Sequence, residues 1–329
     1  MQKILFICGS KNQTTMMHAI SQHLAGDYDC WFTPYYADGL IQKLAEAGKI
    51  NFCILGGNFI VQTRRYLSEH NLRVDYCGRH NDYDLILTCS DLIVPHNIRH
   101  RRVVLVQEGM TDPENIMYHL VKWLKLPLWL ASTSTTGLSD KYEKFFVASN
   151  GYRDHFIDKG VKPEKIVVTG IPNFDNIAQY HANKFPYRDY VLVCTSDARE
   201  TFKRDNRRQF IEESLQIANG RPLIFKLHPN ENRTRAKREI QALAPHALVL
   251  EKGCAEEMVA NCSVLICQYS TLAYVGLALG KEVHSYFDLA ELKKLLPMQN
   301  SGASARKIAT YCQQMLAEAP IKQGALVYG

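Results

Sequence analysis

The chain has 329 residues, enough for about two domains of ordinary size. Hydrophobic residues make up 46% of the chain and charged residues 22%, with a mean hydropathy of −0.22, which excludes a disordered or fibrous protein. The formal net charge of +6 favours anionic ligands in general but does not single out nucleic acid.

The first predicted element is the apolar run Lys3–Cys8, which is followed at once by Gly9-Ser10-Lys11. No apolar run in the sequence approaches the roughly 20 residues that cross a bilayer. The N-terminus also lacks the long apolar stretch and the small-residue cleavage site of a secretion signal. We therefore predict that Lys3–Cys8 is the first strand of a cytoplasmic protein.

Short apolar or β-branched runs alternate with helix-length stretches along the chain, which is the pattern of βα units in parallel sheets. The runs are apolar throughout, as expected for strands that helices cover on both faces. Two Rossmann-like units are therefore predicted. The predicted strands are Lys3–Cys8, Cys30–Tyr35, Phe52–Leu55, Leu85–Cys89, Val103–Gln107, Phe145–Ala148, Ile166–Thr169, Tyr190–Cys194, Pro222–Leu227, Ala247–Leu250, Val264–Cys267 and Val283–Tyr286.

Polar and aromatic residues interrupt the succession of strands between Gly170 and Tyr190, which predicts a linker near residues 171–188. Beyond the last strand, Ser304–Ala317 has helical periodicity and no partner strand, so we expect it to cross back and cover the first domain. The predicted division is a first Rossmann-like domain at 1–172, a second at 173–300 and a C-terminal helix within 301–329.

The ten cysteines are scattered, without a CxxC pair or the Cys and His spacing of a zinc site. This distribution indicates reduced, mostly buried thiols in a cytosolic protein. We expect neither a structural metal nor a disulfide framework.

Ligands of doubly wound sheets bind beyond the carboxyl ends of the strands, so residues that follow the apolar runs are the first candidates. After the first strand, Gly9-Ser10-Lys11 forms a small-residue turn before a predicted helix. The turn matches neither a dinucleotide-binding GxGxxG motif nor a P-loop. It is either a simple tight turn or a loop that contacts a substrate.

A carboxylate ends the buried run Val103–Gln107, because Glu108 and Gly109 follow it directly. The glycine allows a sharp turn, which would place Glu108 at the mouth of a cleft. A partly desolvated carboxylate in that position suits a general base. The alternative is that Glu108 only caps the following helix near Pro113-Glu114.

The loop after Tyr190–Cys194 collects hydroxyl and cationic groups, as expected of a phosphate site at a helix N-terminus. A solvated loop is the alternative. The groups concerned are those of Thr195, Ser196, Arg199 and Lys203.

The next strand ends in Lys226-Leu227-His228-Pro229. Because proline restricts the residue before it to an extended conformation, we expect the His228 imidazole to point into the cleft. There it can hold a phosphate leaving group or move a proton. The alternative is a histidine packed at the end of a strand.

Gln268-Tyr269-Ser270-Thr271 follows a third strand of the second half and opens a predicted helix. The hydroxyls of Ser270 and Thr271 can cap that helix, donate to a phosphate, or do both. Three strand ends in the second half therefore offer hydroxyl, cationic or imidazole groups to one space of anion size.

A further apolar segment runs from Val121 to Leu130 and includes Trp123 and Trp129 beside two lysines. We expect these side chains to fill the core of the first domain or to form a lid. Contact with a membrane surface is the alternative.

Together these segments resemble the GT-B glycosyltransferase superfamily, whose members have two Rossmann-like domains and include UDP-N-acetylglucosamine 2-epimerases. Thr169–Asp175 is similar to the TGxPxxD stretch that ends the first domain in that superfamily, and Leu277–Val283 resembles a helix end with the pattern LGKPV. Val106–Gly109 lies where bacterial sialyltransferases and Kdo transferases carry the acidic motif of their catalytic base. Lys226–Pro229 matches their His-Pro motif, also found in glycerol-phosphate polymerases, and Gln268–Thr271 falls at their Ser-Thr motif.

The chain also departs from these patterns. Epimerases carry an arginine in the first loop, a His-Arg segment and an Asp-Ser-Gly-Gly loop, where this chain has Gly9-Ser10-Lys11, His228-Pro229 and Gln268–Thr271. Gln107 replaces the first acid of the transferase motif, which leaves Glu108 as the sole carboxylate.

The resemblance implies an α/β fold of the GT-B type, with two Rossmann-like domains whose parallel sheets face each other across a cleft. It implies an inverting glycosyltransferase in which Glu108 is the general base and His228 stabilises the departing phosphate. No cofactor and no metal is expected. The acceptor side would comprise Gly9, Ser10, Lys11 and Gly109, and the nucleotide or phosphate side Thr195, Ser196, Arg199, Lys203, Lys226, Pro229, Ser270 and Thr271.

The partners implied are a nucleotide-sugar donor, with CMP- or CDP-linked sugars favoured, and a saccharide or lipid-linked acceptor in cell-surface polysaccharide or glycolipid synthesis. We expect no nucleic acid and a cytoplasmic location, with peripheral contact to the inner membrane as an open alternative. Three other functions stay open: a UDP-N-acetylglucosamine 2-epimerase-like enzyme, a CDP-glycerol-type glycerophosphotransferase, and a non-catalytic nucleotide or nucleic-acid binder.

Overall fold

A computed structural model describes residues 1–50, 53–200 and 204–318. The contacts within the chain divide it into two units. The first comprises Met1–Asn173 together with the segment that begins at Asn300, and the second comprises Phe174–Gln299.

The first unit is built on a parallel sheet that has six strands among its described residues, in the order β2-β1-β3-β4-β5-β6. Its strands are almost wholly buried, because helices follow most of them and cover both faces. The strands are β1 (Lys3–Cys8), β2 (Asp29–Pro34), β3 (Leu85–Thr88), β4 (Val103–Val106), β5 (Lys144–Val147) and β6 (Ile166–Val168), and the helices α1 (Lys11–Gln22), α2 (Gly39–Glu46), α3 (Gly57–Glu69), α4 (Ile116–Leu124) and α5 (Asn150–Lys159).

The register of this sheet brings two candidate loops to one edge. Thr88 of β3 pairs with Ile7 of β1 on one side and with Leu105 of β4 on the other. Because all three strands run in the same direction, the loops after Cys8 and after Val106 lie at the same carboxyl edge, with β3 between them.

The second unit has a five-stranded parallel sheet in its described part, in the order β11-β10-β7-β8-β9. The central trio β10-β7-β8 carries the three predicted phosphate loops at its carboxyl edge. The strands are β7 (Val191–Cys194), β8 (Leu223–Lys226), β9 (Leu248–Leu250), β10 (Val264–Cys267) and β11 (Glu282–His284), and the helices α6 (Arg207–Ala218), α7 (Arg233–Leu243), α8 (Ala255–Asn261), α9 (Leu272–Ala278) and α10 (Leu289–Leu295).

The last helix, α11 (Ser304–Ala317), belongs to the first unit and packs against α1. Its buried face includes Ile308 and Cys312. Two side chains from the sheet region hold its end, since Gln2 Nε2 donates to the carbonyl oxygen of Leu316 at 3.2 Å and Arg102 Nη1 to that of Met315 at 2.5 Å. The first unit thus contains both the early and the late part of the described chain.

The predicted α/β fold with parallel sheets is confirmed, and one predicted strand is wrong. The segment Phe52–Leu55 forms no strand over its described residues, and Phe52 lies outside them. The amides of Cys53 and Gly56 donate to the carbonyl oxygens of Ile50 and Cys53, which closes two turns in place of a ladder. Leu55 is buried in these turns, which explains why the segment has an apolar side chain at that position.

The expectation that the segment from Val121 to Leu130 fills the core is also wrong. Helix α4 buries Tyr118 and Val121 on one face, whereas the side chain of Trp123 is 79% exposed and that of Trp129 is 44% exposed. Because only one face of α4 packs against the first unit, its remaining apolar residues face outward. No described helix is both long enough and apolar enough to span a membrane.

Burial of the cysteines gives stability a defined pH dependence. Burial raises the pKa of the Cys312 thiol from its ordinary value of 9.0 to about 12. Above pH 9 the unfolded chain therefore loses this proton while the folded chain keeps it, so stability falls as pH rises. Between about pH 8 and pH 10, we expect the unfolding free energy of the wild type to fall by about 1 kcal/mol more than that of a Cys312→Ala variant. Denaturant unfolding at several pH values measures this, and parallel declines would contradict it.

Candidate functional site

The turn after β4 is fixed by the side chain of Gln107, which is 1% exposed. Its Nε2 donates to the carbonyl oxygen of Gly109 at 2.8 Å, and its Oε1 accepts from the amide of Ala148 at 2.8 Å. Gln107 therefore ties the loop after β4 to the loop after β5. Glu108 lies between Gln107 and Gly109 in the chain, so the hydrogen bond between these two neighbours fixes its position.

The Glu108 carboxylate is half-buried and accepts one hydrogen bond on each oxygen. Ser10 Oγ donates to Oε1 at 2.6 Å, and Gln13 Nε2 donates to Oε2 at 2.6 Å. Both donors come from the start of α1, which follows the neighbouring loop at this sheet edge. Each oxygen retains lone-pair capacity, so the carboxylate is held in one orientation while it can still accept a proton.

Ser10 has a second role, because it is the N-cap of α1 and its Oγ accepts from the amide of Gln13 at 3.1 Å. Gly9 allows this arrangement, since a Cβ atom there would lie 2.2 Å from Gln13 Oε1. Lys11 is exposed in the first turn of the helix. Gly9 and Ser10 could be predicted from the sequence, whereas Gln13 could not, since its only signal is its place three residues after a cap.

A buried thiol, that of Cys89, lies beside this carboxylate at the end of β3. Burial raises the pKa of Cys89, and the negative charge of Glu108 raises it further. The thiol is therefore neutral near pH 7, whereas the half-buried carboxylate of Glu108 and the exposed ammonium of Lys11 are ionisable groups of this edge with access to solvent.

In the second unit, Thr195 joins the loops after β7 and β8. Its Oγ1 donates to Glu231 Oε2 at 2.5 Å and accepts from the amide of His228 at 3.1 Å. The threonine is 6% exposed, so its hydroxyl is committed to these internal contacts.

His228 is only half-buried at the end of β8. Its Nδ1 accepts from the amide of Asn230 at 3.3 Å and lies 3.5 Å from Asp197 Oδ2. In the tautomer that accepts this hydrogen bond at Nδ1, the ring proton is on Nε2. That N–H is a donor directed away from the contacts of Nδ1.

Arg199, one of the four residues of the predicted phosphate cradle after β7, is held in ion pairs. Arg199 donates both terminal nitrogens to Glu239, at 2.9 and 2.8 Å, and this contact lowers the pKa of Glu239. Beneath it, the buried Arg207 lies 2.7 Å from Glu231 and 3.2 Å from Asp205. Arg199 is thereby engaged with a carboxylate, so a phosphate would have to compete with Glu239 for its guanidinium.

Ser196 and Gln268 link the loops after β7 and β10. Ser196 Oγ donates to Gln268 Oε1 at 2.6 Å, and Gln268 Nε2 donates to Asp205 Oδ1 at 2.7 Å. Gln268 therefore sets the direction of the chain just before Ser270. Ser270 Oγ accepts from the amide of Leu272 at 3.3 Å.

The other predicted residues of this unit differ in accessibility. Lys226 is buried, and its Nζ donates to the carbonyl oxygen of Leu227 at 2.8 Å; burial lowers its pKa. Pro229 and Thr271 are exposed. Lys203 lies outside the described residues. Ser196 and Arg199 are half-buried as well, but their side chains donate to Gln268 and Glu239. The predicted anion-binding groups that remain at strand ends with solvent access are therefore those of His228, Ser270 and Thr271.

Comparison with known proteins gave matches in structure and none in sequence. No protein-family model and no curated protein matches the sequence. The fold is similar to that of UDP-GlcNAc 2-epimerase from Neisseria meningitidis bound to UDP-GlcNAc, with a TM-score of 0.59 and 13% identity over 95% of this chain and 100% of that chain. It is similar to S. aureus MnaA with UDP, with a TM-score of 0.56 and 12% identity over 97% and 99% of the two chains.

The wall teichoic acid polymerase TagF, in a variant soaked with CDPG, is similar with a TM-score of 0.51 and 8% identity over 96% of this chain and 89% of that chain. The resemblance to the GT-B superfamily is thus confirmed at the level of the fold, across nearly the whole chain. Over nearly its whole length the chain therefore shares the fold of these epimerases and of TagF.

Proposed function

We propose that the protein is an inverting glycosyltransferase that moves a sugar from a nucleotide to an acceptor hydroxyl. The observation that supports it most is the carboxylate of Glu108, which Ser10 and Gln13 hold at the end of a buried strand. A carboxylate oriented by two donors, with accepting capacity left over, is suited to take a proton from a hydroxyl.

In the proposed reaction, the acceptor oxygen attacks the anomeric carbon as Glu108 takes the hydroxyl proton. The bond between the anomeric carbon and the phosphate oxygen breaks, and its electron pair leaves with the nucleotide. Attack from the side opposite the leaving group inverts the configuration. Ser10, Gly9 and Gly109 shape the acceptor side, and the exposed Lys11 lies beside them.

On the donor side, the departing phosphate gains negative charge that must be stabilised. The Nε2–H of His228 and the hydroxyls of Ser270 and Thr271 are the donors we assign to this task. Ser196 and Gln268 orient the loop that carries the two hydroxyls. The proposed mechanism uses these side chains and needs neither a metal nor a cofactor. The sugar donor we propose is a CMP- or CDP-linked sugar.

The fold comparisons favour a second candidate, an epimerase that acts on UDP-GlcNAc, since several similar structures are such enzymes. The similarity to TagF, together with His228-Pro229, favours a third, transfer of a phosphoglycerol unit. Epimerisation needs no acceptor, and phosphoglycerol transfer breaks a bond at phosphorus instead of carbon.

Thermal unfolding with added nucleotides tests the proposal. A ligand at about 100 times its Kd stabilises the native state by roughly 2.7 kcal/mol, which raises Tm by several degrees. We expect CMP or CDP to do so and GDP to have a much smaller effect. A selective response to UDP, with conversion of UDP-GlcNAc in the absence of an acceptor, would support the epimerase instead. No response to any nucleotide would contradict all three enzymes.

A further inference from the structure

The first unit carries an unusually apolar exposed surface, which we call the tryptophan surface. In the described part of the chain, eighteen large apolar side chains are exposed, and eight of them fall within this one short segment. An exposed apolar patch of this kind marks a contact with another body. Its members are Ile116, Met117, Leu120, Trp123, Leu124, Leu126, Trp129 and Leu130.

The surface is held rigidly from beneath. Tyr118 and Val121 anchor α4, and Lys122 Nζ donates to the carbonyl oxygen of Lys159 at 3.0 Å. The buried ammonium of Lys159 lies 5.4 Å from the centroid of the Tyr118 ring. At its end, α4 turns through Lys125, which has a left-handed conformation with φ of 52°. The exposed apolar residues are thus presented by a fixed scaffold.

Cationic side chains lie within the tryptophan surface and along a groove next to it. Lys122 and Lys125 are exposed between its apolar residues. Next to this surface is a groove of about 400 Å³, which is lined by Leu128, a residue between Leu126 and Trp129 in the chain. Cationic or titratable side chains also line the groove, namely His96, Arg99, His100 and Lys141. This combination of apolar residues and exposed cations is complementary to an anionic interface.

The neighbouring acids weaken this charge only in part. Asp91 in the groove accepts from the amides of Gly137 and Ser139, so its charge is compensated by the backbone. Asp112 accepts from Thr133 Oγ1 at 2.9 Å. Glu114, before the start of α4, is the remaining exposed acid of the segment.

We propose that the tryptophan surface docks onto the anionic leaflet of a membrane. Tryptophan side chains prefer the headgroup level, where the ring is buried and the N–H remains hydrated, and lysines near them are attracted to anionic lipid. A symmetric contact with a second copy is less favourable, because it would bring the cations around the surface close to their own counterparts. Membrane docking does not depend on the proposed function. Only the further step, that the acceptor is lipid-linked, rests on it.

Flotation with vesicles tests the docking with the full chain and without any activity assay. We expect the wild type to float with vesicles of phosphatidylcholine and phosphatidylglycerol and to remain behind with phosphatidylcholine alone. The double variant Trp123→Ser, Trp129→Ser should bind the anionic vesicles at least about tenfold more weakly. The matched control is Leu40→Ser, Val61→Ser, which removes two side chains of similar exposure, 72% and 63%, from other helices of the same unit and should bind like the wild type.

Two further measurements keep the result interpretable if the tryptophan variant does not fold. Lys125→Glu, Lys141→Glu leaves the apolar residues in place and should weaken binding to anionic vesicles at least about tenfold. Wild-type tryptophan emission should shift to the blue and be quenched by brominated lipid. A wild type that does not float, or one whose emission shifts through concentration-dependent dimerisation without vesicles, would overturn the proposal.

Discussion

We expect the Glu108→Gln variant to turn over roughly 10² to 10⁴ times more slowly than the wild type, with nearly unchanged nucleotide affinity. Glutamine has almost the same shape but cannot take a proton, so the loss is confined to the step in which the acceptor hydroxyl is deprotonated. Nucleotide binding should persist because Glu108 belongs to the first unit and the proposed phosphate groups to the second.

Steady-state transfer rates, together with nucleotide titration by calorimetry, separate these two effects. Glu164→Gln is a matched control, since Glu164 is an exposed carboxylate of the same unit and should retain full activity. If Glu108→Gln kept more than about a tenth of the wild-type rate, another group would have to be the base.

Replacement of His228 by alanine should lower both nucleotide affinity and turnover. A hydrogen bond to a charged group contributes about 1.5 to 3 kcal/mol, which corresponds to a loss of roughly 10- to 150-fold in affinity, and the loss in rate should exceed it because charge on the phosphate grows in the transition state. The backbone should be unaffected, since the contact with Thr195 uses the amide of residue 228.

Two comparisons make this result specific. His228→Gln retains a side-chain N–H donor and should recover part of the affinity, whereas His246→Ala removes an exposed histidine of the same unit and should change nothing. EDTA should not lower the wild-type rate. Activity that requires an added divalent ion would refute the part of the mechanism that assigns the phosphate charge to side chains alone.

The strands could be predicted from the sequence because a strand covered on both faces must be apolar along its whole length. The carboxyl-edge loops followed from the parallel order of the strands, and this is how Glu108 and His228 were found. The prediction of a strand at Phe52–Leu55 was wrong because a short apolar run before two glycines can also close turns, as the described residues from Cys53 onward do.

The partners of the candidate residues could not be predicted, since they depend on the tertiary fold. Gln13 meets Glu108 only because two loops share one sheet edge. Arg199 has the composition of a phosphate ligand, but its nearest carboxylate, Glu239, is contributed by a helix forty residues later. Apolar composition likewise could not show that Trp123 faces outward, because the sequence does not reveal what covers a helix.

The attachment of α11 to the first unit has a consequence for biosynthesis. The second unit is one continuous stretch of chain, Phe174–Gln299, so all of its contacts become available as soon as that stretch has left the ribosome. The unit that is translated first must wait for α11 before α1 is covered. Until then the first unit lacks one of its helices, and a stop codon between Gln299 and Ser304 would remove α11 from the first unit while every residue of the second unit had been made.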